Sequence, residues 1–267
     1  MKIFVCVKQV PGVSEVKIDP KTNTLVREGI LSILNPNDRN AIELALTLKE
    51  KYTTEVIALS MGPPQAEEIL REALAMGVDK AFLLTDRAFA GADTLATSYT
   101  LALAIKKILK ESNPEEKYLI ICGAQAVDGD TGQVPPELAE ELKIPQVAYV
   151  LNVELTEKKI IAERKFRAVE IVVIETTLPA LISVLNDINE PRYPSIAGIM
   201  KAHNLEIVHL DAVALNADTS KIGLNGSSTE VWKIFIPERK GDRVILRGTI
   251  EEVIQNLCQN LKDDKVL

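Results

Sequence analysis

The sequence predicts an α/β fold with a doubly wound, mainly parallel sheet, and three observations carry that expectation. Four short apolar runs, IFVCV (3–7), EVIALS (55–60), KAFLLT (80–85) and YLIICG (118–123), are flanked by polar residues, as strands buried on both faces of a parallel sheet are. Between them lie stretches with apolar residues at helical spacing. The resulting β-α-β-α-β-α-β order implies right-handed crossovers and a Rossmann-like winding, whose ligand lies off the carboxyl ends of the strands.

Residues 37–51 (NDRNAIELALTLKEK) put Ala41, Leu44, Ala45 and Leu48 on one face of a first helix. Residues 63–76 open with prolines and acids, as helix N-termini do, and residues 93–111 carry Leu95, Tyr99, Ala102 and Ile105 at helical spacing. After Pro145 the pattern changes. QVAYVLNVEL, KIIAERKF and VEIVVIE are strand-like and close together, a β-meander that continues or flanks the sheet. Beyond residue 204, NADTSKIGLNGSSTE is expected to be a loop or arm laid over a partner chain, and residues 249–263 a helix with Thr249 and Glu252 spaced for a capping box. The expected division is therefore an α/β domain over 1–203, with a C-terminal arm and helix over 204–267.

The 267 residues suffice for one large domain with an appendage. A formal charge of −7 without a basic tract argues against nucleic-acid binding. No uncharged apolar run approaches the roughly 18 residues that a membrane span needs, and MKIFVCVKQV is too short in apolar residues for a secretory signal. Cys6, Cys122 and Cys258 are widely spaced, with no zinc pattern and no disulfide framework, which fits a reducing, cytoplasmic setting. His203 and His209, the chain's two histidines, are expected to be surface or structural groups.

The segment GAQAVDGDTGQVPPELAEEL (123–142) follows directly from the strand YLIIC. Gly123, Gly129 and Gly132 permit close backbone approach and positive φ, Asp130 or Thr131 is placed to cap a helix, and Pro135 and Pro136 preset its first turn. A helix N-terminus at the carboxyl end of a parallel strand offers unpaired N–H groups to a phosphate. Neither the dinucleotide GxGxxG fingerprint nor the P-loop is present, so the loop alone fits both a tight βα turn and a phosphate site. Asp128 and Asp130 would repel a pyrophosphate and better suit a ribose hydroxyl, a backbone cap or the helix N-terminus.

Residues 189–202, NEPRYPSIAGIMKA, lie outside any amphipathic pattern. Pro191 and Pro194 start the stretch as a loop. Ile196, Ile199 and Met200 then follow Glu190, Arg192 and Tyr193, a mixture suited to a contact surface.

With its flanking residues this stretch, LPALISVLNDINEPRYPSIAGIMKA (178–202), closely resembles the signature of the electron-transfer flavoprotein β subunit. Resemblance extends over most of the chain, through VKQV, NPND and ALAMG, and weakens after about residue 204. It implies a heterodimer with an α subunit, and a recognition loop that docks a flavin-dependent dehydrogenase of the acyl-CoA or hydroxy-acid kind. Asn189, Glu190, Pro191, Arg192, Tyr193, Ile196 and Met200 fall in that loop, with Ile196 at the apolar anchor position. The nucleotide-binding loop of the family falls on Gly123, Ala124, Gln125, Ala126, Val127, Asp128, Gly129, Asp130, Thr131, Gly132, Gln133 and Val134. Further contacts fall on Cys6, on Asn35, Pro36, Asn37 and Asp38, and on Met61. Two departures stand out: the hairpin near Arg167 and Ala168 lacks the Asp-Gly-Gly turn of relatives, and Asn-Asp-Ile replaces Leu-Arg-Leu before NEPRY. The second puts the usual acyl-CoA dehydrogenase partner in doubt.

Some members of this family hold AMP in the β subunit as a structural ligand, and others hold a second FAD and split electrons from NADH. Asp128-Gly129-Asp130-Thr131-Gly132-Gln133-Val134 resembles the bifurcating Asp-Gly-Asp-Thr-x-Gln-Val more than the AMP-type Asp-Asp-Asp-Cys-Asn-Gln, although Pro135 replaces the expected glycine. The resemblance then implies FAD, NADH as donor, and ferredoxin and a dehydrogenase as acceptors, with no catalytic acid, base or metal from this chain. The alternatives are a plain carrier with AMP and, from another class, a non-redox ATP- or AMP-binding regulator of universal-stress type.

Overall fold

The computed structural model describes residues 1–12, 32–114, 116–156, 158–167, 170–232 and 244–266. Ala168, named in the hairpin departure, lies outside the described residues. Among them, one sheet of nine strands runs in the order β11-β5-β4-β1-β6-β10-β7-β8-β9. Its parallel part comprises β1 (Lys2–Cys6), β4 (Glu55–Met61), β5 (Lys80–Leu84), β6 (Tyr118–Gly123), β10 (Ala180–Val184) and β11 (Ile207–Leu210), with β7 (Gln146–Leu155) parallel to β10. From β7 the sheet continues antiparallel into β8 (Lys159–Lys165) and β9 (Ile171–Thr177), so the expected meander extends the sheet itself. A separate two-stranded ribbon pairs β2 (Gln9–Pro11) with β3 (Ser32–Leu34).

Side chains alternate across each central strand and so feed two cores. On one face Ile3, Val5 and Ala58 pack with Ala41, Leu44, Ala45 and Leu48 of α1 (Pro36–Lys51) and Leu70 of α2 (Glu67–Met76). The other face packs Phe4, Leu59 and Ile120 against Leu101, Ala102 and Ile105 of α3 (Thr94–Ser112) and Leu138 of α4 (Val134–Leu142). The helices thus cover both faces, which is the predicted winding. α1 starts on Pro36 with Asp38 in its first turn and ends on Lys49 and Lys51, in keeping with the helix dipole.

Four local expectations need correction. Pro64–Ala66 form a 3₁₀ turn, and α2 begins only at Glu67. Leu95, placed at helical spacing with Tyr99, Ala102 and Ile105, does not share their packing and is exposed in the first turn of α3. Neither Asp130 nor Thr131 caps α4: Gln133 occupies the cap position without a side-chain bond, and Asp130 instead takes a positive φ of 55°. The fourth concerns the tail.

The chain after residue 204 does not leave the body at once. β11 joins the sheet beside β5, and residues 211–229 run back as a strap over residues 86–93. The Ala212 N–H donates to Asp86 Oδ2 at 3.1 Å and the Leu224 N–H to the Ala90 carbonyl at 3.1 Å. At Gly223 (φ +54°) an added Cβ would fall 2.1 Å from the Ala88 carbonyl oxygen, so only glycine fits there. Leu215 and Ile222 of this stretch are buried. The polar run NADTSKIGLNGSSTE is therefore packed on this chain. Only the far end has the character of an arm: α6 (Ile250–Asp263) has the expected Thr249/Glu252 capping box and buries none of its residues.

Candidate functional site

A cleft of about 890 Å³ opens at the carboxyl ends of β1, β4 and β6, where a doubly wound sheet places its ligand. Cys6, Asp38 and Met61 line it, together with Gly123, Gln125, Ala126 and the whole run Asp128–Val134. The fold brings these sequence-predicted residues together from four separate segments. Cys6 and Cys122 sit side by side in register on β1 and β6 at its floor. Hydrogen bonding with Cys6 and complete burial push the Cys122 thiol well above its ordinary range.

Asn35 and Asn37, also predicted as contacts, do not line the cleft but hold its loop. The side-chain amides of Asn35 and Asn37 both donate to the Gln125 carbonyl, at 3.0 and 2.9 Å, and the Val127 N–H donates to Asn35 Oδ1 at 3.2 Å. Pro36 is the first residue of α1, Ala124 is buried with its N–H on the Val184 carbonyl, and Val127 is exposed outside the cleft. Gln125 Nε2 donates to Asp130 Oδ1 across the loop.

The three loop glycines have different reasons. Gly132 has φ +63°, and a Cβ on Gly123 would fall 2.4 Å from Asp38 Oδ1. Gly129 has neither constraint: a Cβ there would meet nothing within 4 Å. The fold does not require glycine at 129, an exposed residue in the lining of the cleft.

Residues that sequence reasoning missed complete the lining: Lys8, the first turn of α3 (Asp93, Thr94, Leu95, Thr97), Glu137, and Ser228, Thr229 and Val231 of the tail. The Asp-Thr start of α3 is a capping signal that, with the predicted winding, could have placed this helix N-terminus at the sheet's carboxyl edge. No local signal marks the tail residues, because only tertiary packing carries them there.

Acids dominate the charged groups of the lining. Among the described residues Lys8 is the sole lysine or arginine in it and is paired with Asp128 at 2.7 Å, whereas Asp38, Asp93, Asp130 and Glu137 add further carboxyls. Burial raises Asp38 to about 7, against hydrogen bonds from the Asn35 side chain and the Lys8 and Gly123 N–H groups. Glu137 is likewise raised, chiefly by burial, although Thr94 and Ser98 donate to it. Protonation of these groups reduces the charge that a phosphate meets.

The second predicted region divides into an anchored half and an exposed half. Asn40 Nδ2 donates to the Asn189 carbonyl at 2.8 Å, and Arg192 donates to Glu43 at 2.8 and 2.9 Å and to Glu50 at 2.6 Å. Burial alone would push Glu43 up, but the bonds and charge of Arg192 outweigh it and hold Glu43 below its ordinary value. Pro191 is half-buried and Glu190 exposed. Beyond this clamp α5 (Ile196–His203) starts with Ser195 Oγ accepting the Gly198 N–H at 3.0 Å. Tyr193, Ile196 and Met200 are 91%, 81% and 68% exposed. An apolar patch so open on a short capped helix suits an interface.

His209 on β11 lies 3.3 Å from Glu67, and His203 is exposed at the end of α5. Among the described residues no group of His, Cys, Asp and Glu could hold a metal ion, and no helix is long and apolar enough to cross a membrane.

Residues 22–215 match the Electron transfer flavoprotein domain family. The Caffeyl-CoA reductase-Etf complex subunit CarD of Acetobacterium woodii is 47% identical over 269 residues, with 100% of both chains covered. The Electron transfer flavoprotein subunit beta of Megasphaera elsdenii is 45% identical over 271 residues, again with 100% of both chains. The Acryloyl-CoA reductase electron transfer subunit gamma of Anaerotignum propionicum is 41% identical over 273 residues at the same coverage.

Proposed function

The chain belongs to the electron-transfer flavoprotein family, on its β-subunit side, and from that premise we propose that it pairs with an α subunit, holds FAD in the cleft, and divides electrons from NADH between ferredoxin and a flavin-dependent dehydrogenase. The observation that carries FAD over AMP is Gly129, a glycine that the chain's own packing does not need, beside open space in a cleft of about 890 Å³. A side chain there would occupy room that a diphosphate could use. A bound flavin would supply acceptance of an electron pair and release of single electrons.

The chain's own contribution is placement. Asn35 and Asn37 fix the loop at Gln125, the Thr94 and Leu95 N–H groups at the start of α3 can face phosphate oxygens, whereas Pro135 and Pro136 leave the start of α4 little to donate, and Cys6 and Met61 offer apolar surface. Ile196, Ile199 and Met200 would receive the dehydrogenase. The names of two relatives, a caffeyl-CoA reductase complex subunit and an acryloyl-CoA reductase subunit, favour a reductase of CoA thioesters in that role.

The acid-rich lining favours a second reading, the plain carrier with AMP, since fewer phosphates then meet the carboxylates. One measurement separates the two. Denaturing the αβ complex and separating the released nucleotides should give two FAD per αβ unit; one FAD with one AMP would overturn bifurcation and leave the carrier.

A further inference from the structure

We propose that Asp93 positions one wall of the cleft, joining α3 to the strap through the two oxygens of a single carboxylate. Oδ1 accepts the Ala96 N–H at 3.0 Å and so caps α3. Oδ2 accepts three donors from the strap: the N–H of Ser228 at 2.7 Å, the N–H of Thr229 at 3.0 Å and the Thr229 hydroxyl at 3.1 Å. The attachment is reciprocal, because the Asp93 N–H donates to Ser227 Oγ at 2.8 Å. Burial alone would push the Asp93 carboxyl up, but these donors outweigh it and keep it charged.

Ser228, Thr229 and Val231 line the cleft, and while residues 212–227 are held by other contacts, this side chain takes the bonds that seat Ser228 and Thr229 in that wall. Other capping residues could serve α3 alone. Serine offers one acceptor oxygen, and asparagine would turn an NH₂ group towards the strap's donors, so aspartate is the short side chain that meets both demands. Asp93 is a positioning residue, since it acts on a ligand through the strap. The inference rests on the reading that the cleft holds an adenine nucleotide, and it adds that the tail controls how firmly.

Asp93→Ser separates the two duties, keeping a cap for α3 while removing the oxygen that holds the strap. The αβ complex, freed of the cleft's nucleotide, is titrated with AMP and with FAD, its thermal unfolding is followed, and the change in tryptophan anisotropy between variant and wild type reports Trp232, this chain's one tryptophan, at the strap's end. The expected result is an unfolding midpoint near that of the wild type, a dissociation constant raised about tenfold by loss of charge-assisted hydrogen bonds, and lower Trp232 anisotropy. Thr229→Val should weaken binding by itself and add nothing to Asp93→Ser, as for partners in one contact. Wild-type binding by Asp93→Ser would overturn the role of Asp93 and leave the nucleotide reading standing. Wild-type protein that binds neither AMP nor FAD would remove both. Should Asp93→Ser fail to fold, Thr229→Val decides, and unchanged affinity in that variant overturns the proposal.

Discussion

A Cβ at position 129 would meet no protein atom within 4 Å, so the effect of an aspartate in this lining position should fall on the ligand and spare the fold. Gly129→Asp is expected to keep its unfolding free energy within about 0.5 kcal/mol of the wild type. It should lose one of two flavins per αβ unit, along with NADH-dependent ferredoxin reduction; flavin counted after denaturation checks this. Asp38 gives a prediction in pH. Its folded value of about 7 lies above the ordinary 3.8 because burial disfavours the charge. The protonated form is therefore favoured in the folded state, and the stability it confers is full below about 3.8, falls as pH rises towards 7 and is level above. Asp38→Asn, which has no charge to lose, should gain stability relative to wild type between about pH 4 and 7 in urea titrations. Gly123, which ends β6, and the loop after it were legible because the winding rule places that strand end at the ligand side, whereas Met61, which ends β4, came from the family resemblance alone. Sequence alone did not reveal that the Asn35 and Asn37 side chains bond the Gln125 carbonyl, because an amide that binds a loop carbonyl and one that binds a ligand leave the same trace in the chain.

The central strands were legible as apolar runs, and α1 from its apolar face and its terminal proline and lysines. β11 was not, since IVHL is short, includes a histidine and becomes a strand only by pairing with β5. α5, the proposed docking helix, was legible in composition, but its seat was not. Gly198 lies against α2, where a Cβ would come within 2.2 Å of the Ala75 carbonyl oxygen. Ile196, by contrast, is open to solvent. Ile196→Ala should thus weaken docking of the dehydrogenase by about 1–3 kcal/mol with flavin content unchanged, measured as the rise in its apparent KM for the reduced complex. Gly198→Val should instead displace the helix and lower thermal stability as well. Equal loss of stability in both variants would contradict this division.

Besides the α5 patch, the described residues leave apolar surface open on the outer strand β9, with Ile171 and Val173 58% and 63% exposed, and on α6 with Ile250 and Ile254. Long apolar sheet edges and helix faces of this kind associate readily unless covered. Expressed without an α subunit, the chain should be poorly soluble and retain flavin weakly, and co-expression should restore a monodisperse heterodimer in size-exclusion chromatography. A monodisperse, flavin-loaded single chain would oppose the pairing.

The place of β10 in the sheet has a consequence for the order of events during synthesis. β10 lies between β6 and β7, both of which precede it in the chain, so these two halves of the sheet have no direct hydrogen-bonded junction of their own. Until residue 184 has emerged from the ribosome, the nascent polypeptide carries two partly built sheets, each presenting a bare apolar edge to the cytosol. Such edges are where a chaperone binds or an aggregate starts. The commitment to a single structure therefore comes late, with one five-residue segment closing the gap, and nascent chains stalled before Ala180 should be captured by holdase chaperones far more than those stalled after Leu210.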